Sequence, residues 1–209
     1  MSLLRRGARG GRSRVAGFTL VELMITVSLL AILLAVGVPS LADWVRNSRI
    51  RTAANNIQDS LRTAQAEAMS RSRPMVLVFT DSPPATAPAS VAVRSGGRFW
   101  AVYQLPLDGS AETAQLVVSG NFSGAADGVA VTGPAALCFS SLGRVVSTGA
   151  SSGLTAACQV PTGTPPQQAY NVTLTGADRP LRVTVGLSGQ VRMCDPARNI
   201  TSSPDGCPS

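Results

Sequence analysis

Glu22 is the residue whose chemistry fits its surroundings least well. It lies in a mostly apolar run at residues 18–38, which would be about 31 Å long as a helix that rises roughly 1.5 Å per residue. That length matches the hydrocarbon core of a bilayer, which is about 30 Å thick. An isolated carboxylate in lipid costs roughly 2.5–3.5 kcal/mol on insertion scales, so such an acid normally has a partner. We therefore expect Glu22 to meet a positive charge.

Arginines precede the apolar run and dominate the overall charge. All 18 basic residues are arginines, and five lie before residue 18: Arg5, Arg6, Arg9, Arg12 and Arg14. Without this leader 13 arginines (18 less 5) face 11 acids, and the net charge falls from +7 to +2. The charge of the whole chain is therefore no argument for nucleic acid binding. A basic flank instead keeps the N-terminus in the cytoplasm and sends the rest of the chain outward.

A cleaved secretory signal and a simple signal anchor are the ordinary alternatives for such a segment. A secretory signal has a shorter apolar region that is followed by a cleavage site with small residues. Here the small residues Ala35, Gly37 and Ser40 follow a run that is already long enough to span a bilayer. A simple anchor leaves Glu22 unexplained.

Side chains suited to catalysis are scarce. The chain contains no histidine, the commonest general base and metal ligand, and no lysine. No pair of acids is clustered in its C-terminal part, and nothing places a base beside a nucleophile. We therefore predict no enzymatic activity, no cofactor and no small-molecule substrate.

Four cysteines, at positions 138, 158, 194 and 207, all lie in the second half of the chain. An even number in a small exported domain favours disulfides, and three pairings are possible. We favour the pairing of nearest neighbours, Cys138–Cys158 and Cys194–Cys207, which would close two loops that each stabilise the fold by roughly 3 kcal/mol. The closely spaced cysteine pairs of zinc and redox sites are absent from the sequence, so neither kind of site is predicted.

The pattern changes beyond Pro39 from uniformly apolar to amphipathic. Apolar residues recur at steps of three and four: Ile50, Ala54, Ile57, Leu61, Ala64 and Ala68. This spacing predicts a helix with one buried stripe, continuous from Phe18 to about Ser72 and bent near Pro39. Pro74 discourages its continuation. A stripe so rich in alanine suits close packing on a sheet better than a coiled coil with another chain.

Short β-type segments follow Pro74. The predicted strands cover residues 75–80, 91–94, 99–104, 115–119, 129–132, 144–147, 170–175, 181–185 and 190–193. Breaker-rich segments at 82–88, 95–97 and 148–168 separate several of them. The predicted fold class is therefore α+β, with a long N-terminal helix packed on antiparallel sheets. Its parts are a leader at 1–17, a transmembrane helix at 18–38, an amphipathic helix at 39–73 and a β-rich head at 74–209.

The segment Gly17-Phe18-Thr19-Leu20-Val21-Glu22 resembles the signature of type IV prepilins. The resemblance implies that a prepilin peptidase cleaves between Gly17 and Phe18 and that Phe18 is then N-methylated. It also implies a partner for Glu22, which would neutralise the terminal amine of Phe18 in a neighbouring subunit of a fibre. Pro39 falls where pilin helices commonly kink. The implied location is the bacterial inner membrane, with the head in the periplasm, and then the fibre.

Two further segments resemble the FimT/FimU/GspH group of these proteins. They are RTAANNIQDSLRTAQAEAMSRSRPMVLVF, which begins at Arg51, and LSGQVRMC, which ends at Cys194. The resemblance implies a minor pilin that assembles with other pilins into a type IV pilus. The alternative is a pseudopilin H of a type II secretion system, which shares the same signal, helix and head.

Arginines recur near the C-terminus, at positions 179, 182, 192 and 198. Arg179, Arg182, Arg192 and Arg198 either form an ordinary solvated surface or bind the phosphates of DNA outside the cell. FimT-like pilins that bind DNA carry a Gly-Arg-x-Arg motif in this region. Here Gly189-Gln190-Val191-Arg192 retains the glycine and the second arginine but lacks the first.

Overall fold

The computed structural model describes residues 17–86, 91–107, 109–122, 124, 126–147 and 158–208. Its long helix, α1, covers Leu20–Arg71, in agreement with the predicted span. Thr19 caps the first turn, because its hydroxyl Oγ1 accepts a hydrogen bond from the backbone N–H of Glu22 at 3.2 Å. The polar start of this apolar helix is thus built from Thr19 and Glu22, which lie three residues apart in the motif.

The other end of α1 closes with a Schellman motif. The N–H of Arg73 donates to the carbonyl of Ala68 at 3.1 Å, and the N–H of Ser72 donates to that of Met69 at 3.3 Å. Ser72 adopts the left-handed conformation, with φ of 52°, at a position where glycine is usual. Pro74 follows directly, so the chain leaves the helix and enters the first strand.

The chain divides into two compact units, residues 1–41 and 42–209. In the first unit, the described residues 20–41 are helical and carry exposed apolar side chains. By length and composition α1 is able to cross a membrane. Pro39 lies within α1, and the bend at that residue stays a prediction.

The second unit contains two five-stranded sheets. The first sheet has the order β3-β2-β1-β5-β6 and is antiparallel. The second has the order β10-β9-β8-β7-β4 and is antiparallel except for the short parallel pair of β9 with β10. The strands are β1 Met75–Thr80, β2 Phe99–Gln104, β3 Gln115–Asn121, β4 Ala130–Thr132, β5 Ala136–Phe139, β6 Val145–Val146, β7 Gln167–Thr173, β8 Leu181–Gly186, β9 Val191–Asn199 and β10 Gly206–Cys207.

The main core lies where α1 meets both sheets. The stripe predicted from spacing is buried, and it packs with residues of β1, β5, β7 and β8. Tyr170 lies at its centre, with its ring edge-on to Phe79 at a centroid distance of 5.4 Å. Burial raises the pKa of the Tyr170 phenol, which therefore stays neutral.

The inner strands β1 and β5 of the first sheet are buried on both faces. Met75, Leu77 and Phe79 of β1 join the main core, whereas Val76 and Val78 join a second cluster on the opposite face. Covering residues of that second cluster include Val91, Leu105 and Cys158. The disulfide Cys138–Cys158 joins β5 to the segment that follows residue 157. Burial of both faces explains why β1 shows no alternation of apolar and polar residues.

The prediction of a strand at Val91–Arg94 is wrong. This segment makes only an isolated bridge, between Thr80 and Val93, and its buried Val91 covers a sheet face instead. Two strands were not predicted, β5 and β10. Both are short and owe their conformation to strands that lie beside them in space.

Gln65 joins the helix to a turn of each sheet. Its side-chain Nε2 donates to the carbonyl of Gly143 at 2.9 Å, and Val145 N–H donates to the Leu187 carbonyl at 3.0 Å. Gly189 has φ of +83°, and a Cβ there would overlap the Gly143 oxygen and the Gln65 amide. Only glycine fits this approach of the turns at residues 140–144 and 186–190.

Candidate assembly site and arginine surfaces

The N-terminal site consists of Gly17, Phe18 and Glu22. Phe18 is 83% exposed, and a Cβ built on Gly17 would meet nothing within 4 Å. Glu22 lies in the first turn of α1, where the helix dipole favours a negative charge. Within the described residues its carboxylate forms no ion pair. The site therefore presents exposed residues on both sides of the Gly17–Phe18 bond and an exposed acid in the first helical turn.

Arg182 and Arg192 lie on the same face of the second sheet. In the register of β8 with β9, Arg182 is opposite Cys194 and Thr184 is opposite Arg192. Residues that face each other, or are two apart on a strand, share one face, so the two arginines are diagonal neighbours. Arg192 is exposed, whereas Arg182 is half-buried and its Nε donates to Asn171 Oδ1 at 2.7 Å.

Arg179 and Arg198 belong to a different surface. Together with Trp44, Asn47, Arg51 and Met193 they line an open cleft of about 710 Å³, which we call the Trp44 cleft. Arg198 is neutralised locally, at 2.8 Å from Asp205 and 3.6 Å from Asp195. The four C-terminal arginines are therefore divided between two surfaces.

Asp178 and Asn47 connect α1 to the turn between β7 and β8. The Asn47 amide donates to Asp178 Oδ1 at 2.7 Å. This bond, followed by a backbone hydrogen bond and the charge of Arg179, holds the pKa of Asp178 below its ordinary value. Arg46 adds a hydrogen bond from its guanidinium to the Gly176 carbonyl at 3.3 Å.

The disulfide Cys194–Cys207 closes the loop that forms one wall of the Trp44 cleft. Within this loop, Asn199 Oδ1 accepts hydrogen bonds from the N–H and the hydroxyl of Thr201, both at 2.9 Å. The ion pair of Arg198 with Asp205 spans the same loop. Covalent and polar links thus position the loop together.

Sequence reasoning did not single out Trp44, Asn47 or Arg51. Their spacing of three and four residues indicates that they lie on one face of α1, because residues so spaced are neighbours on a helix surface. That signal identifies a face but not what lies opposite it. The described residues contain no cluster of metal-binding side chains, and no metal site is assigned.

Two protein families match the chain. The family described as "Prokaryotic N-terminal methylation motif" matches residues 12–38, and the family described as "Type II transport protein GspH" matches residues 53–189, more than half of the chain. No curated protein matches it by sequence.

Solved structures with a similar fold include two minor subunits. The type IV minor pilin FimU of Pseudomonas aeruginosa is 13% identical, with a TM-score of 0.48, over 74% of this chain and 95% of that chain. The minor pseudopilin EpsH of the type 2 secretion system of Vibrio cholerae is 14% identical, with a TM-score of 0.44, over 72% and 99%. On the strength of its two family matches, the chain belongs to the GspH family of type IV pilin-like proteins and carries the N-terminal methylation motif at its start.

Proposed function

We propose that the protein is a minor pilin, a non-enzymatic subunit that is stored in the inner membrane and drawn into a type IV pilus. The observation that carries this proposal is the position of Glu22. It lies within the methylation motif, in the first turn of a helix whose apolar part is long enough to span a bilayer. Membership of the GspH family supports the broader role of a pilin or pseudopilin.

Processing explains why an acid is retained at this position. Cleavage between Gly17 and Phe18 releases an α-amine, which is positively charged at neutral pH because its ordinary pKa is about 7.7–8.0. N-methylation of that amine keeps the charge. In the fibre, the amine of one subunit meets Glu22 of another, and each removes the cost of leaving the other charge alone in an apolar core. The basic leader holds the cleavage site in the cytoplasm until then.

Glu22→Gln tests this pairing. We expect the variant to be cleaved and to remain in the membrane fraction, but to be lost from sheared pili, because the neutral amide attracts no amine. Glu67→Gln is the matched control, since Glu67 is a second carboxylate of α1 and pairs with Arg71 at 2.7 Å outside the apolar run. Normal entry of Glu22→Gln into pili would refute the pairing. Intact-mass analysis of the mature protein checks cleavage after Gly17 and methylation of Phe18.

The alternative is a pseudopilin of a type II secretion system. The description of the matched family as a type II transport protein favours it. The two roles differ in the phenotype of a deletion strain, which loses pili and twitching in the first case and protein secretion in the second. Loss of secretion with intact pili would refute the pilus role and show that the protein is a subunit of the secretion system.

Arg182 and Arg192 support a further property, the binding of DNA outside the cell. Two guanidinium groups on one sheet face can contact two phosphates. Arg182→Gln with Arg192→Gln should lower the slope of log K against log salt by about 2, because each phosphate contact contributes roughly 0.9. The control, Arg62→Gln with Arg144→Gln, removes the same charge from other exposed positions. Equal DNA retention by both double variants, or none by the wild type, would end this hypothesis.

A further inference from the structure

The Trp44 cleft contains two arginines that form no ion pair with any described residue. Arg51 and Arg179 line it from α1 and from the turn after β7, and among the described residues neither lies within 4 Å of a carboxylate oxygen. Arg198, the third arginine of the cleft, is occupied by Asp195 and Asp205. The third aspartate of the cleft, Asp178, accepts a hydrogen bond from Asn47 and forms no ion pair among the described residues, so Arg51 and Arg179 are the two guanidinium groups left for an anion.

Asn47 adds a polar group at the same place. Its amide nitrogen binds Asp178, while its Oδ1 is buried and has no hydrogen-bond partner among the described residues. A buried acceptor without a partner is costly, so a donor is expected to reach it. A hydrated or hydroxyl-bearing ligand would supply one.

Trp44 lines the cleft and is 68% exposed. It follows Val38, the last residue of the apolar run, by six positions. Tryptophan is enriched at membrane–water interfaces, where its ring lies at the level of the headgroups. Helical side chains also lean toward the helix N-terminus, which is the end that carries the apolar run. A lipid surface is thus the nearest large partner of this cleft.

We propose that the Trp44 cleft binds the headgroup of an anionic, hydroxyl-bearing phospholipid such as phosphatidylglycerol while the subunit is stored in the membrane. Arg51 and Arg179 bind the phosphate oxygens, Asn47 Oδ1 accepts a hydrogen bond from the headgroup, and the Trp44 ring lies against the glycerol region. The inference rests on the membrane-stored state in the proposed function. It gives the head a fixed contact with the bilayer that must be broken before extraction into a fibre.

The test uses the full chain in nanodiscs of phosphatidylcholine with or without phosphatidylglycerol. Native mass spectrometry then measures the ratio of the two lipids that remain bound. Arg51→Gln with Arg179→Gln should lower the preference for phosphatidylglycerol by about 5-fold for each arginine removed. Arg51→Lys with Arg179→Lys should retain most of the preference for phosphatidylglycerol, because both positive charges are kept. The matched control is Arg62→Gln with Arg144→Gln, in which both replaced side chains are exposed and lie outside the cleft.

A second measurement tests whether Trp44 lies next to the lipid headgroups. The chain has two tryptophans, so Trp100→Phe leaves Trp44 as the single fluorophore, and a lipid with a spin label on its headgroup should quench it. Absence of quenching, or the same lipid ratio in all variants, would overturn the proposal. Normal lipid binding by the double glutamine variant together with poor entry into pili would also overturn it, and would identify the cleft as a contact between subunits. Failure of the wild type to enter pili would instead refute the assembly role and leave the lipid ratio unaffected.

Discussion

Replacing Gly189 by alanine tests how the head is held together. Two costs are expected. A non-glycine residue in the left-handed region costs roughly 1–2 kcal/mol, and Gly189 has φ of +83°. The new Cβ would also displace the Gln65 amide and remove its 2.9 Å hydrogen bond to Gly143, which contributes about 0.5–1.5 kcal/mol. The backbone strain and the lost hydrogen bond together lower the free energy of unfolding by about 1.5–3.5 kcal/mol, and the overlap of the new Cβ with the Gly143 backbone oxygen adds to this cost.

Gly109→Ala separates the two costs. Gly109 also has a positive φ, +77°, but a Cβ there meets nothing within 4 Å, so only the backbone cost applies. Urea unfolding of the purified full chain in detergent, followed by circular dichroism, measures both variants. In a Gln65→Ala background, Gly189→Ala should cost about 0.5–1.5 kcal/mol less, because the hydrogen bond is already gone. Equal costs for Gly189→Ala and Gly109→Ala, or in both Gln65 backgrounds, would refute this reasoning.

Three other predictions concern processing, the disulfides and pH. Gly17→Val should block cleavage in cells without altering the melting of the head, whereas Gly37→Val, at an equally open position, should be cleaved normally on an immunoblot. Removal of Cys194–Cys207 by replacing both cysteines with alanine should lower the free energy of unfolding by about 3 kcal/mol in urea, because the closed loop of 13 residues no longer restricts the unfolded chain. Because the folded-state pKa of Asp178 is depressed, its stabilising contribution is present above its unfolded pKa and is lost as pH falls through the folded pKa. Thermal melts below about pH 4 should therefore show a weaker acid dependence for Asp178→Asn than for wild type.

Strands whose own residues strongly favour β structure were predicted. Strands that form only because they pair with another strand were not. The segment at residues 75–80 is a run of apolar, largely β-favouring side chains and forms β1 with the predicted bounds. Residues 91–94 are also mostly apolar and include two valines, yet these valines cover a sheet face outside a strand. Ala136–Phe139 shows no alternation and forms a strand because it pairs with β1. When both faces of a strand are buried, its apolar and polar residues do not alternate. That alternation is the pattern from which strands are predicted.

The N-terminal site could be predicted from the chemistry of consecutive residues alone. The apolar run, the acid inside it and the basic flank are properties of consecutive residues, and their physical meaning needs no knowledge of distant contacts. The buried stripe of α1 is likewise periodic within one helix.

Only the tertiary structure decided which of the arginines act together. In the sequence, Arg179, Arg182, Arg192 and Arg198 form one group, but the register of β8 with β9 places two of them on a sheet face, and the Trp44 cleft takes the other two. The same holds for Gly189, whose necessity arises from Gln65 and Gly143, far away in the chain. The period of a helix and the length of an apolar run are set by residues that are neighbours in the sequence. The register of two strands and the close approach of two turns depend on segments that meet only after folding.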